Sequence, residues 1–470
     1  MAPDPIGQTA AGDQPQLSKE PRRVLVVTPD TLGDRMAGPA IRAWEISKAL
    51  SAYAQVRLVS TVAAARPGVG FEVSYVDDQQ LRAHADWADV IVFQGHVLRT
   101  HSWMKSHENI LVADIYDPLH LEQMEQGKDL SAADRDAVAA DTVEVLNDQI
   151  ERADFMTCAS EKQRDFWIGH LASLARINPA TYDADPTLRN LLDVASFGVS
   201  DATPVQKRHA IKGAVDGISA TDKVIIWGGG IYNWFDPLTL IQAVAILSEK
   251  HDDIRLFFLG VSHPNPNVPA MRMSVEALEL SNRLGLTNKV VFFNSSWVPY
   301  EERADYLLDA DIGVSTHYNH VETAFSFRTR ILDYLWASLP IVSTDGDTFA
   351  DWIRQHELGT VVPPEDVDSL VHAIESVVYD DSKHSVHSKN VAVFSQTMTW
   401  SKTLSSLIRF CLAPHPAADR STEFMSERAR IKESLEVRID GLESSTSWRL
   451  TAPLRAVSGL FNSSRDKSSE

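Results

Sequence analysis

Short apolar runs alternate with helical patterns twice along this chain, and this alternation restricts its fold more than any other sequence feature. The first series begins with Arg23–Thr28, continues with a helical pattern at 39–50 and reaches a second apolar run at Gln55–Ser60. After a polar connection, the alternation restarts at Lys223–Trp227. Strands that alternate with helices form parallel sheets with helices on both faces. The sequence therefore predicts an α/β protein with two doubly wound domains in tandem.

The remaining elements follow the same pattern. We predict further strands at 89–93, 110–113, 155–159, 254–259, 289–293, Ile312–Ser315, 340–343 and 360–362. Helical patterns cover Ala132–Arg152, 237–249, 301–309, 329–337 and 367–378. The chain then divides into a disordered arm (1–22), a first domain (23–200), a linker (201–222), a second domain (223–380), helices that return toward the first domain (381–412), and an amphipathic or coiled-coil helix with a polar tail (413–470).

The composition excludes several classes of protein. The 470 residues include 44 basic and 64 acidic ones, and the resulting net charge of −20 argues against general nucleic-acid binding. Hydrophobic residues make up 44% and charged residues 23% of the chain, as in ordinary globular proteins. Cys158 and Cys411 lie far apart and form neither a disulfide framework nor a metal spacing. Because no signal sequence and no apolar run of ~18–20 residues is present, we expect a cytoplasmic protein, either free or peripheral on the inner face of the membrane.

The C-terminal stretch has helical periodicity. Four apolar residues fall on one face of the predicted helix: Ile431, Leu435, Ile439 and Leu442. Two interpretations remain open. One is a solvated terminal helix with a frayed tail. The other is a contact surface over 426–461 for self-association, a partner protein or a membrane surface, since Trp448 and Leu454 lie close to Arg449 and Arg455.

Ligands of doubly wound sheets bind beyond the C-terminal ends of the strands, so the loops at those ends are the places to look for a site. The loop after the first strand contains Gly33 and Gly38, but it matches neither a G-x-G-x-x-G fingerprint nor a P-loop. A plain tight turn is as good an interpretation as a ligand loop.

A second loop, after the strand at 110–113, carries four polar residues: Asp114, Asp117, His120 and Glu122. They form either a helix cap or a polar cluster that faces a substrate. No H-x-x-x-H or similar pair accompanies them, and the D-x-D matches at 183–185 and 345–347 are expected by chance in so acidic a chain. We therefore assign no metal.

A third loop contains the consecutive glycines Gly228, Gly229 and Gly230 directly after an apolar strand. Glycines in such a place expose backbone amides, as an anion-binding loop requires. This pattern favours a ligand loop over a structural turn, which rarely needs three glycines.

The fourth loop leads into the helical pattern at 329–337 and carries Arg328 and Arg330 near the start of that helix. Cations are unfavourable at a helix N-terminus unless an anion is bound. A diphosphate would satisfy both guanidinium groups, and Asp333, one turn further on, could bind a polyol such as ribose. The alternative is a structural ion pair with Glu322.

The segment 326–343, SFRTRILDYLWASLPIVS, resembles the donor-site segment of family 4 glycosyltransferases, whose GT-B architecture has two Rossmann-like domains facing a cleft. In the family pattern K-x-x-E-Y-x-A-x-G-x-P-V-V, Arg330 takes the place of the lysine, Asp333 that of the glutamate and Pro340 that of the proline. Ser338 stands where glycine is usual. The resemblance extends over roughly 23–410, and the tail SSTSWRLTAPLR is similar to an ending of many bacterial surface-polysaccharide glycosyltransferases.

This resemblance implies a retaining, metal-independent transfer of a hexosyl-type sugar from a nucleoside-diphosphate sugar, with no cofactor besides that co-substrate. It implies a glycan or lipid-linked acceptor and a role in bacterial cell-surface polysaccharide synthesis, such as lipopolysaccharide, O-antigen or capsule. The departing diphosphate gains charge in an oxocarbenium-like transition state and can itself take the acceptor proton. A glycine loop and two arginines are suited to stabilising that charge.

The chain departs from the family at two further places. Family members usually carry an arginine and a lysine after the second glycine loop, but the stretch 229–236 holds no basic residue. Phe325 occupies the place of the family's first glutamate. We therefore hypothesise that Arg328 and Arg330 replace the missing cations and that Glu322 reaches the sugar.

The resulting site prediction has three groups of residues. The catalytic residues are Arg328, Arg330 and Asp117. The donor-binding residues are Gly228, Gly229, Gly230, Glu322, Ser326, Phe327, Asp333 and Trp297, of which Trp297 fits core packing equally well. The residues on the acceptor side are Gly33, Gly38, Asp114 and His120.

Two other functions remain open at this point. The missing arginine and lysine also fit a catalytically lapsed, nucleotide-sugar-binding partner that docks on an active transferase through its C-terminal helix. A GT-B epimerase that acts on a nucleotide sugar without an acceptor is the other alternative. Binding of a donor without turnover would separate the lapsed partner from the transferase.

Overall fold

The computed structural model describes residues 21–260 and 271–420, together with nine isolated positions between 434 and 451. The chain forms two compact units, Met1–Ile177 with Thr187–Pro416, and Asn178–Pro186 with Ala417–Glu470. All but the last two positions of the predicted arm at 1–22 lie outside the described residues.

Within the described residues, seven parallel strands form the first sheet: β1 (Arg23–Thr28), β2 (Gln55–Ser60), β3 (Glu72–Tyr75), β4 (Val90–Gln94), β5 (Ile110–Asp114), β6 (Phe155–Cys158) and β7 (Leu192–Val194). Their spatial order is β3-β2-β1-β4-β5-β6-β7. Val24 of β1 pairs with Val56 and Val90, one in each neighbouring strand. The apolar runs of β1 and β4 are buried, as expected for parallel strands covered on both faces.

The helices of this half are α1 (Gly38–Ser51), α2 (Asp78–Trp87), α3 (Val97–Thr100), α4 (Leu119–Gln126), α5 (Ala132–Arg152) and α6 (Glu161–Ser173). A seventh, α7 (Pro179–Ala184), belongs to the second unit. The starts of α2, α5 and α6 are fixed by side-chain caps, because Asp77, Ser131 and Ser160 each accept a hydrogen bond from a backbone N–H of the first turn.

The second sheet, in the part of the chain that is described, has six parallel strands: β8 (Lys223–Trp227), β9 (Ile254–Phe258), β10 (Val291–Phe293), β11 (Ile312–Ser315), β12 (Ile341–Thr344) and β13 (Gly359–Val362). Their order is β10-β9-β8-β11-β12-β13. The helices that follow are α8 (Pro237–Lys250), α9 (Arg272–Arg283), α10 (Arg303–Leu307), α11 (Val321–Phe325), α12 (Arg330–Trp336), α13 (Thr348–Gln355), α14 (Val367–Tyr379), α15 (Asp381–Ser395), α16 (Trp400–Thr403) and α17 (Ser405–Leu412).

The prediction of two doubly wound α/β domains is confirmed, with a few local differences. The strands β3 and β7 were not predicted, because β3 is a half-exposed edge strand with polar residues and β7 has only three residues. The strand predicted at 289–293 begins at Val291, since the N–H groups before it bond to Leu286 in a turn. The helix predicted at 301–309 is instead a 3-10 turn, Tyr300–Glu302, followed by the short α10.

The chain returns to the first sheet after α15. Two backbone hydrogen bonds join Val199 to the segment at the start of α16. The N–H of Val199 donates to the carbonyl of Met398, and the N–H of Trp400 donates to the carbonyl of Val199. A side chain at Gly198 would lie 2.6 Å from the backbone nitrogen of Trp400, so only glycine fits there. The helices α16 and α17 therefore pack with the first half of the chain.

Tyr334 of α12 attaches this helix to the second sheet. Its ring lies against Gly313 of β11, where an added Cβ would come within 2.3 Å of the ring. Its hydroxyl accepts a hydrogen bond from the N–H of Gly228 at 2.8 Å and donates to the carbonyl of Val314 at 2.8 Å. These contacts fix α12 against β8 and β11 and bring the start of the helix to the glycine loop after β8.

The predicted amphipathic helix of the tail lies largely outside the described residues, which include neither Ile431 nor Ile439. The described Leu435, Leu442 and Trp448 are exposed. In the part of the chain that the structure describes, no helix combines the length and apolar character needed to cross a membrane.

We predict that Gly313→Ala destabilises the protein, because the new methyl group would overlap the Tyr334 ring. Overpacking of this kind costs about 1–3 kcal/mol or more in unfolding free energy. The shift of the urea-unfolding midpoint measures it. Gly169→Ala is the matched control: this glycine lies exposed inside α6 with no atom within 4 Å of an added Cβ, and alanine there should stabilise by ~0.5–1 kcal/mol. Equal shifts in the two variants would contradict the role assigned to Tyr334.

Candidate functional site

A cavity of about 350 Å³ lies at the C-terminal ends of both sheets. The loops that line it follow β1, β5, β7, β8, β10 and β11. From the first sheet come Gly38, Tyr116 and Asp117, and from the second come the glycine loop and the segment 326–330. The cavity is therefore where topology predicts a ligand site of two doubly wound sheets.

The glycine loop forms one wall. Gly228 donates its N–H to Tyr334, and the carbonyl of Gly230 accepts a hydrogen bond from Arg330 Nη2 at 2.8 Å. Gly229 has φ +76°, a left-handed conformation that favours glycine. Through Tyr334 and Arg330, the loop is held by α12 at both ends.

Arg330 is the central cation of this wall. It is 6% exposed, and its guanidinium carbon lies 3.7 Å from the centre of the Phe235 ring and 4.1 Å from that of Trp227. Among the described residues no carboxylate lies within 4 Å of its guanidinium, and Nη1 has no hydrogen-bond partner. Burial lowers the pKa of Arg330 to about 9, and the nearby charge of Arg328 adds to this effect. A buried cation without a counter-ion is unfavourable unless an anion binds.

Arg328 is paired instead. Its Nη1 and Nη2 donate to the two carboxylate oxygens of Glu322 at 2.9 and 2.7 Å, and both side chains are buried. This is the structural ion pair that the sequence left open as an alternative. Arg328 still lines the cavity, whereas Glu322 lies behind it and outside the lining. The pair thus presents a neutralised cation to the cavity.

Two carboxyl groups from the first domain stand near this pair. Burial raises the pKa of Asp117 to about 6 and that of Glu122 well above its ordinary value. The two acids interact with each other, and the charge of Glu322 raises both pKa values further. Oδ1 of Asp117 is buried without a hydrogen-bond partner. The structure thus places Asp117 in the same lining as the arginines, on the side of the cavity that the first domain supplies.

The far end of the cavity combines the predicted residues Asp333 and Trp297 with three that the sequence did not predict, Tyr300, Arg303 and Trp336. Arg303 lies between the rings of Tyr300 and Trp336, with its guanidinium carbon 3.9 and 4.7 Å from their centres. Its Nε is 3.4 Å from Oδ1 of Asp333, and both side chains line the cavity. Burial raises the pKa of Asp333. Arg303 follows the end of β10, so the strand-end argument applied to the other loops could have found it.

Trp297 lines the same end of the cavity. Its indole N–H donates to the carbonyl of Met36 at 3.0 Å, and its ring lies 3.2 Å from where a Cβ would stand on Gly260. The residue therefore both contacts the cavity and joins the loop after β10 to the loop after β1.

The other predicted site residues are divided between the cavity and its surroundings. Gly38, Ser326 and Phe327 line the cavity, whereas Gly33 and His120 do not. His120 stacks on Phe166 at 5.3 Å, and burial lowers its pKa to about 4, so it is a neutral packing group.

Asp114 is committed to an ion pair. Its carboxylate accepts hydrogen bonds from Arg42 at 2.5 and 2.6 Å and from the hydroxyl of Thr157 at 2.8 Å. Arg42 also donates to the carbonyl of Ala195, so this buried pair joins α1 to two strand ends. No group of three metal-ligating side chains occurs among the residues that the structure describes.

Comparison with known proteins shows which proteins this chain resembles in sequence and fold. Residues 222–380, which contain the glycine loop, the arginines and Asp333, match the family described as glycosyl transferases group 1. Among curated proteins, the D-inositol 3-phosphate glycosyltransferase of Corynebacterium kroppenstedtii is 22% identical over 323 residues, which are 66% of this chain and 65% of that protein. The match thus spans slightly less than two thirds of the relative's length.

Solved structures share the fold over most of the chain. The sucrose-phosphate synthase of Thermosynechococcus elongatus aligns with a TM-score of 0.59 at 14% identity, over 84% of this chain and all of that one. WaaG, a glycosyltransferase involved in lipopolysaccharide biosynthesis, aligns with a TM-score of 0.57 at 14% identity, over 82% and 99% of the two chains. HepE of Anabaena, solved in complex with UDP-glucose, aligns with a TM-score of 0.57 at 13% identity, over 84% and 100%.

The GT-B fold expected from the sequence is therefore confirmed, and residues 222–380 match the family described as glycosyl transferases group 1.

Proposed function

We propose that this protein transfers a hexosyl-type sugar from a nucleoside-diphosphate sugar to a hydroxyl group of an acceptor, with retention of configuration and without a bound metal. The cavity between the glycine loop and Asp117 is the site of transfer. The observation that carries the proposal is Arg330, a buried cation that no described carboxylate neutralises and that faces this cavity.

The diphosphate of the donor is placed between the glycine loop and Arg330. A diphosphate oxygen there accepts a hydrogen bond from the free Nη1, which removes the unfavourable burial of an unpaired guanidinium. The charge that grows on the departing phosphate in the transition state strengthens the same interaction. Arg328 contributes less, because Glu322 already balances its charge.

In the transfer step, the bond between the anomeric carbon and the diphosphate oxygen breaks, and a bond from the acceptor oxygen forms on the same face. The acceptor proton passes to the leaving phosphate. Asp117 lines the opposite side of the cavity with a buried, unpartnered oxygen, which can accept a hydrogen bond from the acceptor hydroxyl and orient it. No strong general base is required.

The nucleoside is placed at the far end of the cavity. Asp333 is positioned to accept hydrogen bonds from a ribose, and Trp297, Tyr300 and Trp336 supply aromatic surface around it. UDP-glucose in the complex of the similar HepE structure makes UDP-sugars the first donors to test.

A role in cell-surface glycan synthesis, with a glycan or lipid-linked acceptor, is part of the proposal. It is supported by the polysaccharide-type ending of the sequence and by the fold shared with WaaG, which is involved in lipopolysaccharide biosynthesis. Such an acceptor would place the protein in the cytoplasm, at the inner face of the membrane.

We predict that Arg330→Met abolishes the response to nucleoside diphosphates without unfolding the protein. Methionine keeps the apolar contacts with Trp227 and Phe235 but removes the unpaired charge, so the ligand-free variant should be at least as stable as the wild type. Stabilisation by UDP should disappear, and release of UDP from UDP-sugars should fall by at least about 100-fold. EDTA should leave wild-type turnover unchanged.

A panel of nucleoside-diphosphate sugars, followed by thermal shift and by nucleoside-diphosphate release, measures these effects. Arg354→Met is the matched control, because this arginine is half-exposed and pairs with Asp345 away from the cavity. Wild-type turnover in Arg330→Met would refute the proposal. Stabilisation by a donor without turnover, even with lipid-linked acceptors present, would favour the lapsed binding partner instead.

The protonation of Asp117 gives a second prediction that needs no substrate. Its pKa is raised from 3.8 to about 6 in the folded protein, so the folded state holds this proton more tightly than the unfolded chain. The contribution of this group to stability is full below about pH 4 and is lost as the pH rises through about 6. The Asp117→Asn variant has no carboxyl group to ionise at this position and does not lose this stability. The free energy of unfolding of the variant, minus that of the wild type, should therefore increase from pH 4 to pH 7.

Urea unfolding of both proteins across this pH range measures the difference. Asp136→Asn makes the same substitution at an exposed position of α5, outside the cavity lining, and serves as the matched control. A pH-independent difference for Asp117→Asn would mean that the Asp117 carboxyl is not held in the buried setting described above.

A further inference from the structure

A second cavity, of about 200 Å³, opens at the C-terminal edge of the first sheet. It lies beyond β1, β4 and β5 and shares Pro39, Tyr116 and Asp117 with the main cavity. Asp117 therefore stands where the two cavities meet. A ligand in the second cavity would reach the side of the main cavity that faces Arg330.

Gln94, at the end of β4, is the polar side chain that marks this cavity as a binding site. It is 4% exposed and lines the cavity. Its Nε2 donates to the hydroxyl of Thr28 at 2.7 Å and to the carbonyl of Pro39 at 2.8 Å. Because a carbonyl can only accept, the orientation of the amide is fixed, and Oε1 is left buried without a partner. Such an acceptor is unfavourable until a donor reaches it.

Among the other polar groups of the lining, Gln149 already donates its amide N–H to the carbonyl of Gly95, and the carboxylates accept hydrogen bonds. Asp30 and Asp117 contribute carboxylates, and the charge of Asp114 is balanced by Arg42. Among the described residues that line this cavity there is no lysine, arginine or histidine. A phosphate or carboxylate would therefore meet acceptors of the same sign, whereas hydroxyl groups would supply the missing donors.

We infer that this cavity holds the acceptor as an uncharged, hydroxyl-rich ring, a sugar or polyol without a phosphate or carboxylate on the ring that enters it. The volume corresponds to roughly six or seven water molecules at ~30 Å³ each, enough for one such ring. Gln94 Oε1 accepts one ring hydroxyl, and Asp117 accepts the hydroxyl that takes the sugar. This assignment rests on the proposed transfer function, whose acceptor it defines.

Ligand-observed NMR on the full chain, with and without UDP, tests the inference. The probes are methyl α-D-glucopyranoside, myo-inositol, glucose 6-phosphate and glucosamine. We expect the two uncharged probes to bind, and glucose 6-phosphate to bind at least about tenfold more weakly. Gln94→Ala should weaken the uncharged probes by about three- to tenfold, the effect of one lost hydrogen bond. Gln55→Ala, at an exposed glutamine on the same sheet, should change nothing.

Gln94→Leu keeps the volume of the side chain and serves if the alanine variant is unstable. Equal or tighter binding of glucose 6-phosphate overturns the inference, as does the absence of binding by both uncharged probes or their unchanged binding to the Gln94 variants. Tighter binding of glucosamine would reassign the cavity to a cationic ligand.

The thermal shift caused by UDP separates this result from the proposed function. It depends on Arg330 and should be the same in wild type and Gln94→Ala. A lost UDP response in the wild type, with sugar binding that still depends on Gln94, would refute the transfer function and leave the cavity as a sugar site. A retained UDP response in the wild type, without sugar binding that depends on Gln94, would refute only the acceptor assignment.

Discussion

The hydroxyl of Tyr334 joins the strands and the loop on which the candidate site is built. It bonds to the N–H of Gly228 after β8 and to the carbonyl of Val314 in β11, while its ring covers Gly313. With α12 fixed in this way, Arg330 lies one turn away against the glycine loop and bonds to Gly230. A shift of this helix would move Arg330, the one cation among the described lining residues that has no carboxylate partner. The binding wall is thus a consequence of how one helix packs.

The two sides of the site differ in charge, and the difference has a physical basis. On the side of the second domain, the paired Arg328 and the unpaired Arg330 favour an anion. On the side of the first domain, Asp117 and Gln94 offer only acceptors, which favour hydroxyl groups. A donor with a diphosphate and an acceptor with a free hydroxyl therefore have one preferred placement. The opposite placement of donor and acceptor would put the phosphates of the donor against carboxyl groups and leave Arg330 without a counter-ion.

Much of the site could be predicted from local sequence. The glycine loop, Arg330 and Asp333 all follow strand ends, where parallel sheets bind ligands, and all of them line the cavity. Local sequence could not decide how Arg328 is used, since a diphosphate and Glu322 are both suitable partners and only the fold determines which one is close. Asp114 was placed on the acceptor side, but its partner Arg42 lies 72 residues earlier, and no local pattern connects them. Arg303 follows a strand end and could have been found by the same argument, but its contact with Tyr300 and Trp336 could not, because these rings converge only in three dimensions.

The sequence by itself determined the α/β class, the two parallel sheets and the sheet edges at which ligands bind. The periodicity of the apolar residues and the alternation of strands with helices are local properties of the chain. The tertiary structure decided which charges remain unpaired and which cavity each loop enters. Those properties depend on distances between residues far apart in sequence, such as Arg42 with Asp114 and Gln94 with Pro39. Charge balance and desolvation are set by such distances, and they give the site its chemistry.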